Sequence, residues 1–402
     1  MNSTFVFLLA GGEGKRLGVL TRNRPKPLVP FAGQYRLIDF PLSNAANSGV
    51  QRMGILVQKS HRSIMEYVGT GKIWGLYQPK AKLLVLPPHT NGKSDAPYCG
   101  TADAVRRNMA LIAENPDYET VLVLSSDHVY KMDYQKLIAF HRRRKADVTV
   151  GVTQVSAAEI FKFGIVHMDR RSKIIRWQEK PSHSSSTLAS MGIYVFSKKF
   201  LMDVLEKCPG TDFGRHIIPF ACQHANIYGY TFSGYWRDVG SPDAYWQANM
   251  DLLDAHKNIK IHKWNITTNP GAEWSIQQPT KSGVVYPAAY ENSIISQNAL
   301  LQGRALNSII FPGVQIDKNV TVRNSIIMND CVIAPNSLIA NSILCDNVRV
   351  GEGSVVGMTQ LRLPCPEQRK SQNSTLIAIG GNTRIEPNRY SEKSSYVFAK
   401  TS

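Results

Sequence analysis

Residues Leu9 to Leu17 read LAGGEGKRL, a short apolar run that breaks into Gly11, Gly12 and Gly14 and then into Lys15 and Arg16. Glycines at a strand end let the backbone approach a ligand closely, and their exposed amides can face phosphate oxygens. Arg16 and, ten residues later, Lys26 can add positive charge to the same side. No GK[ST] closes the loop, and GxGxxG lacks its third glycine, so this is neither a Walker A loop nor a dinucleotide fingerprint. A tight turn with solvated cations accounts for the stretch equally well.

Three further stretches could do chemistry. In LSSDHVYKMDY an apolar strand runs out into Asp127; ligands of open parallel sheets gather at carboxyl ends of strands, where a carboxylate suits a metal bridging phosphates. Capping of the next turn is the competing role, and His128 reads as a packing or hydrogen-bonding residue. WQEKPS places Glu179 and Lys180 before Pro181. The lysine is a point charge for phosphate and the acid an acceptor for sugar hydroxyls, although a solvated surface pair has the same sequence. YWRDVGS supplies Asp238, a second metal carboxylate, with Arg237 expected as its structural partner.

These residues must be held by elements that the hydrophobic pattern predicts. Strand candidates are FVFLLA from Phe5, MGILVQ from Met53, TVLVLSS from Thr120, DVTVGVTQV from Asp147 and GIYVFS from Gly192, alternating with helical patterns. That alternation predicts an α/β domain with a largely parallel sheet over residues 1–253. Residues 101–114 put Ala102, Val105, Met109 and Ile112 on one helical face, with Thr101 as the expected N-cap.

Beyond the sheet region, 254–284 reads as a linker. Then NSII begins at Asn292, Asn307 and Asn324, and NSIL at Asn341, in steps of 15, 17 and 17 residues. A hexapeptide β-helix uses about 18 residues per coil of three short strands, whereas a β-sandwich gives no reason for one tetrapeptide to return once per three strands. The repeat predicts a parallel β-helix over 285–385, followed by a polar tail at 386–402.

At 402 residues the chain suits two domains, and its formal charge of +17 points to anionic partners. The cations form no single run with interleaved aromatics, so nucleic acid is not expected as a partner. No apolar run approaches the roughly 18 residues of a membrane span, which predicts no membrane association. Six scattered cysteines without CxxC read as reduced thiols of a cytoplasmic protein.

Taken together, LAGGEGKRL, RLIDFPLSNAANSG, YCGTADAVRRN, SSDHVYKMDY, FGIV, EKP, ASMGIYVF, DFGRHIIP, YWRDVGSPDAYWQANMDLL and HKWNITT closely resemble the bacterial glucose-1-phosphate adenylyltransferases, also called ADP-glucose pyrophosphorylases. The resemblance implies a Rossmann-like nucleotidyltransferase domain followed by a left-handed β-helix. It implies condensation of ATP with α-D-glucose 1-phosphate to ADP-glucose and pyrophosphate with Mg²⁺, the first committed step of glycogen synthesis, in a cytoplasmic homotetramer under allosteric control.

By the same resemblance Gly11, Gly12, Gly14 and Arg16 wrap the ATP phosphates, Lys26 neutralises the leaving pyrophosphate, and Gly100 and Thr101 lie near the nucleotide. Tyr98, Gly164, Glu179, Lys180 and Ser190 hold glucose 1-phosphate, while Asp127 and Asp238 carry Mg²⁺. Arg16, Lys26 and Asp127 are the catalytic expectation; Arg24, Arg36 and Gln58 are regulatory candidates. Departures from the family pattern lie at Pro97 and Cys99, which flank Tyr98, and at Asn23, where enteric members carry lysine. A pyrophosphorylase for UDP- or dTDP-glucose or GDP-mannose, or a regulatory paralogue of the same enzyme, is the alternative.

Overall fold

The first apolar run becomes the middle of a nine-stranded sheet. In a computed structural model the described residues are 3–12, 14–58, 61–77, 82–88, 96–269, 290–357 and 376–391. Residues 270–284 of the expected linker, 285–289 and 358–375 of the expected β-helix, 392–402 of the tail and Cys365 lie outside them. The chain forms two compact units: Met1–Gly12, Ile38–Trp236 and Asn265–Asn269 make one, and Glu13–Leu37, Arg237–Trp264 and Pro270–Ser402 the other.

In the sheet unit, β1 (Thr4–Leu9), β2 (Arg52–Leu56), β3 (Lys82–Leu86) and β4 (Thr120–Ser125) run parallel in the order β3-β2-β1-β4. Val6, Phe7, Leu8 and Val121 to Leu124 are fully buried, as expected of continuous apolar strands covered on both faces. Beyond β4 the sheet becomes mixed. β5 (Val148–Gln154), β6 (Gly164–Met168), β7 (Ile174–Glu179), β8 (Leu188–Ser197) and β9 (Ile227–Thr231) complete it, with β8 antiparallel to β4, β5 and β6. The expectation of a largely parallel sheet therefore holds for the first four strands and for β9, which runs parallel to β5, whereas β6, β7 and β8 pair antiparallel. The short connections of 163–188 reverse the chain without a crossover helix, which parallel pairing requires.

The helix expected over 101–114 is two helices, Thr101–Arg107 and Ala110–Ala113. Asn108 separates them, donating Nδ2 to the Ala104 carbonyl and to the Tyr98 hydroxyl. Its N-cap is Gly100, not Thr101.

In the second unit, three parallel sheets of short strands climb in register, Ile294, Ile309, Ile326 and Ile343 aligning on one face. Each letter of NSI has its own ladder. Asn292, Asn307, Asn324 and Asn341 take φ of 44°, 47°, 48° and 47° at one corner, a left-handed conformation that Asn tolerates better than other side-chain-bearing residues. Their amides stack, Asn307 Nδ2 donating to Asn324 Oδ1 at 2.8 Å. The Ser308 and Ser325 hydroxyls accept from the backbone N–H one coil up, of Ser325 and Ser342. The residue after each isoleucine fills the β-helix core, as Ile310, Ile327 and Leu344 do with Ile379.

Segment 14–37 and the helix Pro242–Met250 belong to this unit. Trp246 Nε1 donates to the Asn324 carbonyl at 2.8 Å, Tyr245 to Pro30, and Ser296 Oγ to the Gly33 carbonyl. Among the described residues no helix is long and apolar enough to cross a membrane. Cys99, Cys208, Cys222, Cys331 and Cys345 are free thiols.

Candidate active site

The sheet unit gathers its candidates at the carboxyl end of the parallel strands. β1 runs out into Ala10, Gly11 and Gly12, and Ser126, at the end of β4, is tied back to it by a hydroxyl donated to the Leu9 carbonyl at 2.8 Å. A side chain on Gly11 would meet Gln58 Cγ at 2.8 Å, whereas one on Gly12 would enter open space. The first glycine is thus demanded by packing, and the second leaves bare backbone where a ligand can approach.

Asp127 follows directly, its side chain 29% exposed and Oδ1 3.3 Å from His128 Nε2. His128 is buried with its ring edge on Trp236, in line with a packing role. Gly192, at φ 65°, makes a bulge in β8 against Ser125 and His128, because a Cβ there would meet Ser125 Oγ at 3.0 Å. Ser190 sits in the same bulge, buried, and accepts from the Gly192 N–H.

Glu179 ends β7 opposite Gly164. Gly164 has no room for a Cβ, which would fall 2.2 Å from the Trp177 ring. Lys180 takes φ 47°, uncommon for a residue with a long side chain, and is 48% exposed with Nζ 3.7 Å from Glu179 Oε1. Its amide donates to the Phe163 carbonyl at 3.0 Å, which holds the strained backbone in place.

Two candidate residues use their hydroxyls within the protein. Tyr98 has its phenol turned inward: the hydroxyl donates to the Pro87 carbonyl at 2.9 Å and accepts from Asn108, with Arg107 over the ring. Its backbone is clamped twice by Gln58, Nε2 to the Tyr98 carbonyl and Tyr98 N–H to Oε1. The Tyr98 phenol is thus engaged within the protein, and Gln58 fixes its backbone. Likewise Thr101 accepts from the Phe213 N–H at 3.0 Å and donates to Asp212 Oδ2 at 3.2 Å. Gly100 is required because a Cβ would meet the Thr211 carbonyl at 2.4 Å, and that carbonyl accepts from the Ala102 and Asp103 amides. The helix start is capped by protein.

In the second unit Gly14, at φ 66°, opens the 3₁₀ turn Lys15–Thr21 and lies against Lys26 Cβ. Lys26 is buried, with Nζ 3.8 Å from Asp238 Oδ1. A Cβ on Gly240 would lie 3.2 Å from Asp238 Oδ2 and 3.5 Å from Arg16 Nη2, so Arg16, Lys26 and Asp238 converge around Gly240. Buried ammonium groups need such a counter-charge. Arg237 does not follow expectation: Nε and Nη2 donate to Asp251 Oδ2 at 3.3 and 2.8 Å. Of the regulatory candidates, Arg24 is ion-paired with Asp346, its pKa lowered by burial, and Arg36 is buried with Nη1 donating to the Leu28 carbonyl.

Residues 6–255 match the family model described as nucleotidyl transferase, and 280–362 the GlmU-like C-terminal hexapeptide model. The chain belongs to the nucleotidyl transferase family. Within it, the chain is 39% identical over 370 residues to a glucose-1-phosphate adenylyltransferase of Clostridium perfringens, covering 87% of this chain and 91% of that one. It is 40% identical over 338 residues to one of Clostridium beijerinckii, covering 81% and 84%. A third, of Fervidobacterium nodosum, is 36% identical over 396 residues, 96% of this chain and 93% of that one. The β-helix is of the hexapeptide type that the 17-residue repeat predicts, left-handed as the family resemblance implies.

Two residues of this nucleotidyltransferase escaped the sequence reading. Asp212 caps the π-helical turn Phe213–Ile217 through the Arg215 amide and binds Thr101, while a Cβ on neighbouring Gly214 would lie 3.1 Å from Glu179 Oε2. The DFGRHIIP motif was the available signal. Asp251 is wholly buried just past the end of a helix, and its only signal was its place in the YWRDVGSPDAYWQANMDLL stretch.

Proposed function

We propose that this chain condenses ATP with α-D-glucose 1-phosphate, releasing pyrophosphate and ADP-glucose, the committed step of glycogen synthesis. The observation that carries the reading is likeness of 36–40% identity along most of the chain to proteins named glucose-1-phosphate adenylyltransferase. The convergence of Arg16 and Lys26 on Asp238 supports it.

An oxygen of the sugar phosphate attacks the α-phosphorus of ATP, and the bond to the β-phosphate oxygen breaks. Both reactants are polyanions, so alignment and charge neutralisation do the work. Lys26 and Arg16 stabilise charge on the departing pyrophosphate. Lys180 holds the sugar phosphate and Glu179 a sugar hydroxyl. The bare backbone at Gly12 lets the nucleotide phosphates come close. No general base is needed, because the attacking phosphate is already ionised.

Mg²⁺ is part of the proposal. Asp127 and Asp238 fit it as hard oxygen donors, with side chains 29% and 19% exposed, suiting a cation that keeps several of its waters. Bound there, it would neutralise phosphate charge. The family likeness also supports a cytoplasmic homotetramer under effector control.

The test is pyrophosphate release with glucose 1-phosphate, Mg²⁺ and each nucleoside triphosphate. ATP preference is expected, with a rate loss of at least about a hundredfold in Asp127→Ala, the scale of a main electrostatic group. Preference for UTP, dTTP or GTP would move the chain to another sugar-nucleotide pyrophosphorylase. No release with any triphosphate would make it a regulatory paralogue.

A further inference from the structure

Asp251 is a fully buried acid whose carboxylate accepts from four donor nitrogens. Its carboxylate is inaccessible to solvent and lies at the end of the helix that begins after Asp238. Oδ2 accepts from Arg237 Nε and Nη2, and Oδ1 from Gln247 Nε2 at 2.9 Å and from Lys257 Nζ. Burial alone would raise this carboxyl, but the donors Lys257, Gln247 and Arg237 outweigh it and leave it below its ordinary pKa.

Arg237 and Asp238 are consecutive on the strand Trp236–Asp238, so their side chains point to opposite faces. This alternation lets Arg237 reach Asp251 while Asp238 faces the other way. On one face the guanidinium is moored to Asp251; on the other Asp238 reaches toward Lys26 at 3.8 Å and folds over Gly240. Residues 238–241 are a short link from the strand to Ser241, which caps the helix Pro242–Met250. The strand is thereby stapled at Arg237 to the far end of that helix, and the direction of Asp238 depends on the staple.

We infer that Asp251 is a positioning residue, holding the Asp238 carboxylate in its metal-binding orientation through Arg237. The inference rests on the proposed metal role of Asp238. Loss of an outer partner of a metal ligand costs ten- to a hundredfold in affinity.

Mn²⁺ binding to the full chain, followed by electron paramagnetic resonance well below each variant's melting temperature, tests it without recourse to activity. Asp251→Asn and Arg237→Gln are each expected to weaken Mn²⁺ about tenfold. The double variant is expected to bind no more weakly than the single ones, because both act through one contact. Folded single variants that bind Mn²⁺ as the parent does would overturn the inference and leave Asp251 a stabilising residue only. A double variant whose loss is the product of the two would do the same. If Asp251→Asn does not fold, Arg237→Gln carries the test alone, since Asp251 keeps Lys257 and Gln247 there. Parent-like binding in Asp238→Asn would remove the metal assignment itself, and the inference with it.

Discussion

Lys180 in the sheet unit and Asn307 in the β-helix share a backbone φ of 47°, yet for opposite reasons. In the β-helix the left-handed corner recurs every coil, is occupied by a residue that tolerates it, and is stabilised by amides that hydrogen-bond from coil to coil. Lys180 belongs to no repeat, has a side chain unsuited to that region, and is held by one backbone bond to Phe163 and the end of β7. A strained conformation that repeats is architecture; one outside any repeat, at a lysine next to Glu179, is a candidate for function.

The comparison can be broken experimentally. Lys180→Ala keeps the left-handed backbone but removes the charge, so the KM for glucose 1-phosphate should rise about a hundredfold, equivalent to the upper range of a charge-assisted hydrogen bond. Circular-dichroism melting should scarcely move. An unchanged KM would reduce Lys180 to the same architectural class as the asparagines. Asn324→Ala should do the reverse, destabilising by about 2 kcal/mol through left-handed strain and lost amide bonds, with KM unaltered. Denaturant titration checks it, and Asn324→Gly should recover part of the loss by tolerating the backbone.

A smaller effect is specific to the sheet unit. His141 is buried with Nδ1 2.9 Å from Thr149 Oγ1, and burial, reinforced by Arg142, lowers its pKa to about 4 from an ordinary 6.5. The unfolded chain therefore binds the proton more readily, so this contribution is intact above about pH 6.5 and lost as pH falls toward 4. Its slope is at most about 1.4 kcal/mol per pH unit, and urea midpoints for His141→Gln should lack it. The smallest change expected is in Lys180→Asn, which should gain about 0.5 kcal/mol in stability by relieving strain while still losing substrate affinity. A stability loss there would mean that Lys180 is held by contacts rather than strained.

Legibility followed regularity. Val6 to Leu8 and Val121 to Leu124 announced their strands because buried parallel strands are apolar on both faces. By contrast, β6 and β7 mix His167, Arg176 and Gln178 with apolar residues, and a half-exposed short strand leaves little periodic signal. The NSI repeat was readable because each letter performs the same task in every coil. At the site, residue types pointed to Asp127, Lys26 and Lys180, but nothing in the types of Tyr98 and Thr101 revealed that their hydroxyls are used internally.

By itself the sequence determined the β-helix, the strands that carry the glycine loop and Asp127, and the inventory of cations and acids. These depend on local pattern, whether apolar runs or a 17-residue recurrence. Only the tertiary structure decided which groups meet: Lys26 with Asp238 across 212 residues, Arg237 with Asp251 rather than its neighbour, Tyr98 turned inward. Pairing across such distances is set by how folded elements pack and by which face of a strand each side chain occupies. That information has no one-dimensional spacing from which to read it.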